Sequence, residues 1–80
     1  MSFQKVSGTY TVILNWIVPA GIDLNDTETY EYSDKWGVLQ IHNKKTGDII
    51  DVEKQSEDEC DYKYARDLDI HECDEDGYEL

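Results

Sequence analysis

The side chains with the most chemistry to offer are the acids of the last third of the chain. Glu57, Asp58, Glu59, Asp61, Asp67, Asp69, Glu72, Asp74, Glu75, Asp76 and Glu79 crowd together there, with Tyr62, Tyr64 and Tyr78 threaded among them. Such a set is open to acid–base catalysis, to cation binding, or to electrostatic docking on a basic surface. Catalysis by paired carboxylates needs one of them shifted by burial, and stretches this dense in charge stay wet. No glycine-rich phosphate loop accompanies them, and Ser2, Ser7, Ser33 and Ser56 stand in no nucleophile motif. An enzyme is not expected.

Cation binding has little more behind it. Asp74-Glu75-Asp76-Gly77 has the opening of a calcium loop without its ordered ligands or the bidentate Glu at the twelfth position. Cys60, His71, Cys73 and His42 offer zinc ligands, but the two cysteines lie thirteen residues apart and form no Cys-x-x-Cys knuckle. A zinc site needs four ligands converging tetrahedrally. No metal or other cofactor is expected, and the cysteines read as reduced thiols.

Docking remains, and the charge supports it. The 80 residues carry 19 acids against 7 Lys and Arg, a net −12 at pH 7. Residues 1–50 hold 6 acids and 4 bases, whereas residues 51–80 hold 13 acids and 3 bases. A field of this sign draws in a basic partner and repels phosphates, so direct nucleic-acid binding and an anionic membrane are both disfavoured. Self-repulsion also predicts that moderate salt raises the melting temperature. The bland alternative is an acidic stretch that only keeps a small protein soluble.

The opening Met1-Ser2-Phe3-Gln4-Lys5 lacks a basic region followed by an apolar one, and the apolar stretch 12–22 is broken by Asn15 and Pro19. With two cysteines and no disulfide framework, the cytoplasm is the expected compartment.

The elements that must hold these acids read as strands. Residues 9–18 are rich in β-branched and aromatic types, with Tyr10, Val12, Leu14, Trp16 and Val18 on one face and Thr11, Ile13, Asn15 and Ile17 on the other, which predicts a central strand. Pro19 ends it, and residues 20–26 form a loop. Residues 27–32 suit an edge strand with one wet face. Residues 36–43 and 48–53 flank Lys44-Lys45-Thr46-Gly47, a hairpin signal that would set Leu39 and Ile41 against Ile50 and Val52. Residues 61–70 alternate Tyr62, Tyr64, Leu68 and Ile70 with mostly charged neighbours, which favours a last strand; a helix would gather only Tyr64, Ala65, Leu68 and Glu72. Tyr62 and Tyr64 then belong to the core, and Asp61, Lys63, Asp67 and Asp69 form a row with neighbours about 6.6–6.8 Å apart.

The expected architecture is all-β, a small antiparallel sheet of four to five strands curled toward a partial barrel. Residues 1–73 form its single domain and residues 74–80 a loose acidic tail. An open edge of such a sheet is compatible with a homodimer.

In its acidity over residues 58–79, with Tyr interleaved among Asp and Glu, the chain resembles the small nucleic-acid-mimic inhibitors of bacteriophages. These include anti-CRISPR proteins, anti-restriction proteins and uracil-DNA glycosylase inhibitors. The resemblance is one of composition. It implies a stoichiometric inhibitor acting in the host cytoplasm, which evades host defence by occupying the nucleic-acid groove of a nuclease or CRISPR–Cas effector. The contact set would be Glu57, Asp58, Glu59, Asp61, Asp67, Asp69, Glu72, Asp74, Glu75, Asp76, Glu79 and Tyr78. An immunity protein neutralising a basic toxin, or a small acidic structural protein, are the alternatives.

Overall fold

The computed structural model describes residues 3–59 and 61–80. Six strands, β1 (Phe3–Thr9), β2 (Ile13–Val18), β3 (Tyr30–Lys35), β4 (Val38–Asn43), β5 (Ile49–Glu53) and β6 (Leu68–Cys73), make up two three-stranded antiparallel sheets. One has the order β2-β1-β6 and the other β3-β4-β5, and no barrel closes among the described residues. The all-β expectation holds, with one strand more than the four to five read from the sequence and two facing sheets in place of one.

The inner faces follow the two-residue period of a strand. Val6, Leu14, Trp16 and Val18 point inward from the first sheet and Leu39 and Ile41 from the second; with Tyr10 and Leu24 they form the buried core. Ile70 and Leu68 pack on it from β6, opposite Val6 and Gly8. Gly8 is required by space: a Cβ there would stand 2.9 Å from both Leu68 and the Trp16 ring. The Trp16 indole N–H donates to the Gly37 carbonyl at 3.0 Å, which ties the two sheets across the core. At one open end the buried Gln4 amide donates to Asp23 and accepts the Leu24 N–H, both at 2.8 Å, so the 19–29 loop is pinned down as a plug.

The hairpin of residues 36–53 forms as its turn chemistry predicts. Leu39 pairs with Val52 and Ile41 with Ile50, and Gly47 takes a φ of 83°. The edge strand expected at 27–32 is displaced to β3, because the Asp26 carbonyl accepts the N–H groups of Thr29 and Tyr30 in a turn.

Three expectations fail for tertiary reasons. Residues 9–18 are not one central strand: the chain reverses at residues 10–12, where the Tyr10 N–H donates to the Val12 carbonyl at 2.9 Å and Thr9 pairs with Ile13. β-Propensity runs unbroken through this turn, but reversal lets Val6 and Trp16 share the core, and the central strand is β1. The last strand begins at Leu68 and not at Asp61. Residues 61–67 are held instead by scattered hydrogen bonds to both sheets: the Arg66 N–H donates to the Thr9 carbonyl (2.9 Å), the Trp36 N–H to the Lys63 carbonyl (2.9 Å), and the Ala65 N–H to the Asp34 carboxylate (2.7 Å). Ala65 turns inward over Gly8, and Tyr62 and Tyr64, expected in the core, stand more than half exposed. Cys60, read as a reduced thiol, lies outside the described residues.

Residues 74–80, expected as a loose tail, turn back on β6. The Asp74 N–H donates to the Tyr78 carbonyl at 2.9 Å, and Glu79 bridges Cys73. Gly77 at a φ of 91° brings this return close to Ile17 and Gln55 on the outer face of the β2-β1-β6 sheet.

Candidate functional site

The expected acidic row does not exist as a row. Asp69 and Glu72 ride on β6, but Asp61 and Asp67 sit in the irregular 61–67 segment and Glu57, Asp58 and Glu59 in the loop after β5. Asp74, Glu75, Asp76, Tyr78 and Glu79 belong to the return. β6 runs antiparallel to β1, with Leu68 opposite Gly8 and Cys73 opposite Phe3. β6 thus sets Asp69 toward the Gly8 end of β1 and Glu72 toward its Phe3 end, while the Gln55 amide donates to the Asp76 carbonyl and brings the return against the chain that follows β5.

Nearly all of them are exposed; Asp74 is half-buried because its Oδ1 accepts the N–H groups of Asp76 (2.9 Å) and Tyr78 (3.0 Å). Asp58 closes a small turn with Ser56. Glu79 lies 3.7 Å from Lys5 and 3.5 Å from His71. Among the described residues, Glu57, Glu59, Asp61, Asp67, Asp69, Glu72, Glu75 and Asp76 have no hydrogen-bond or ion-pair partner for their carboxylates. Such carboxylates project a field and are free to take cations from outside.

Burial pushes the Cys73 thiol above its ordinary value, partly offset by Lys5 and reinforced by Asp74 and Glu72. A hydrogen bond from His42 at 2.9 Å holds the Glu31 carboxyl below its ordinary range. His42 is thus placed on the outer face of the second sheet, while His71 and Cys73 lie on β6. Among the described residues no group of three His, Cys, Asp or Glu side chains converges as a metal site.

Sequence reasoning missed a second feature beside the acids. Two shallow hollows meet at Tyr64. One, of about 300 Å³, is floored by Ser33, Gln40 and Asp51 of the second sheet's outer face. The other, of about 360 Å³, is lined by Tyr10, Thr11, Tyr62 and Arg66. Exposed Trp36 caps the adjoining β3–β4 turn, where a strand had been expected to start. The dipeptide Trp36-Gly37 was the available signal: Gly in a two-residue loop between alternating segments marks a hairpin turn.

Asp34 was also invisible from sequence. It is buried, accepts hydrogen bonds from the Tyr10 hydroxyl and the Ala65 N–H, and so fixes residues 61–67 against both sheets.

No protein-family model, curated protein or solved structure matches the chain. No helix among the described residues is long and apolar enough to cross a membrane.

Proposed function

We propose that this protein is a binding module that docks its acidic C-terminal third on a cationic surface of a macromolecular partner and blocks it. The favoured partner is a nucleic-acid-handling host protein, a nuclease or CRISPR–Cas effector whose phosphate-binding groove is lined with Lys and Arg. The carrying observation is the set of eight exposed carboxylates without partners among the described residues, held on the loop after β5, the 61–67 segment, β6 and the C-terminal return. Acids needed only for folding would be expected to find bases or capping N–H groups of their own chain. Competition tests the reading. Excess duplex or guide-bound nucleic acid should displace the protein from such a partner, and binding should weaken from tens of millimolar to molar salt. Failure of displacement from every candidate would sink it.

The scatter of the acids over the loop after β5, the 61–67 segment, β6 and the return favours a second version of the same docking. An even ladder would imitate a duplex backbone along its length, whereas scattered carboxylates suit capping a compact basic site, as an immunity protein caps a toxin. Partner fragments separate the two: a groove requires an elongated contact, and a capped site is retained by the catalytic domain alone.

A further inference from the structure

The β3–β4 turn contains a residue that folding alone does not call for. Lys35 pairs with Val38 across a two-residue loop, and both central residues, Trp36 and Gly37, have positive φ (52° and 82°). This is the requirement of a type I′ turn, which Asn, Asp or Gly meets without strain and a bulky side chain does not. Strain of this kind is kept where surrounding structure or function demands it. Core packing makes no such demand, since Trp36 is 53% exposed. Tyr62 and Tyr64, at 58% and 56%, are the nearest exposed aromatics along the segment to which Trp36 is tied by its hydrogen bond to Lys63.

We infer that Trp36, Tyr62 and Tyr64 form an aromatic anchor that receives arginine side chains of a basic partner protein. The inference rests on the docking reading above and names the chemistry of its centre. A cation already lies over one of these rings: the Nζ of Lys63 sits 5.3 Å from the Tyr64 centroid. The surrounding charge selects the same kind of guest, because residues 57–69 hold six acids and only two bases, Lys63 and Arg66. Arginine is favoured over lysine because its guanidinium is planar, weakly hydrated and stacks flat on an aromatic face while its N–H groups reach carboxylates. Aromatic residues at the centre with charges at the rim is the arrangement of interface hot spots. Carboxylates then govern the approach of the partner, and the rings govern its retention.

The test uses the full chain and two probes of equal charge, deca-arginine and deca-lysine peptides, titrated at low salt with Trp fluorescence and calorimetry as readouts. Wild type should prefer deca-arginine by about fivefold or more and lose Trp emission on binding, because Trp16 is buried and Trp36 is the ring within reach. Trp36→Asn and Tyr64→Ala should each bring deca-arginine down toward deca-lysine, whereas Asp61→Asn with Asp67→Asn should weaken both peptides alike. Trp36→Asn should also raise the melting temperature by about 4 °C, since Asn suits the turn. A lower melting temperature would place Trp36 in the service of the fold and overturn the inference. So would a preference for deca-arginine that survives both ring variants, or a wild type without preference; in those cases the docking reading stands. If neither peptide binds, docking falls and the anchor with it. Concentration-dependent self-association abolished by Trp36→Asn would put a second copy on the rings and overturn the arginine assignment.

Discussion

The β2-β1-β6 sheet is covered on both faces. Its inner face carries the core, and its outer face is crossed by the C-terminal return, with Gln55 and Gly77 against Ile17 and Glu79 near Lys5 and His71. The β3-β4-β5 sheet is covered on one face only: Leu39 and Ile41 point inward, while Ser33, Gln40 and Asp51 floor an open hollow. Strands of similar length thus serve different ends. The first sheet carries the fold, and the second offers a surface and a turn on which residues can be chosen for contact. What links them is the 61–67 segment, whose backbone is held by both and whose aromatic rings face solvent.

Substitutions on the two sides of this divide should behave unequally. The largest effect is expected for Trp16→Ala, which empties the core and removes the bond to Gly37; a loss of about 3–5 kcal/mol is comparable to what so small a core supplies. Circular dichroism should show a chain largely unfolded at 37 °C, and a cooperative melt near wild type would refute the description of the core. Asp34→Ala comes next, at about 2 kcal/mol, because it removes the acceptor of the buried Tyr10 O–H and releases Ala65. Hydrogen exchange should accelerate at residues 61–67 before it does in β4; equal acceleration everywhere would deny Asp34 its role as a latch.

Smaller effects depend on pH. The buried Cys73 thiol has a raised pKa, so its contribution is complete below the ordinary value of 9.0 and is lost as pH rises through the folded value. Relative to Cys73→Ala, wild type should therefore lose melting temperature above pH 9, and parallel curves would contradict the burial. Glu31→Gln probes the open face. The Glu31 carboxyl is held low by His42, so the substitution should lower the melting temperature slightly above pH 4.5, and that cost should fade as pH falls through the lowered folded value. An effect that grew on acidification would have the wrong sign.

Elements with local chemistry were legible in the sequence. The 36–53 hairpin could be read to its register because Gly47 and the alternation of Leu39, Ile41, Ile50 and Val52 agree. The turn at residues 10–12 was hidden because Tyr-Thr-Val has every mark of a strand, and only the partner strand β1 shows why the chain reverses there. The same alternation misled over residues 61–67: Tyr62 and Tyr64 share a parity with Leu68 and Ile70, but irregular backbone breaks the period and Ala65 takes the inward place. The candidate site was visible as composition and not as geometry. Nothing in the acid spacing announced its scatter over several elements, nor in Trp36-Gly37 a strained aromatic.

The position of β1 between β2 and β6 has a kinetic side. Residues 3–9 find one neighbour within a short hairpin, but the other is more than fifty residues further along the chain. During synthesis the early hairpin must wait with one row of backbone groups unsatisfied until the late strand emerges. Long-range pairing of this sort slows folding and leaves an edge open to wrong partners. The polar and glycine-containing run Gln4-Lys5-Val6-Ser7-Gly8 makes that exposed edge a poor template for aggregation while it waits.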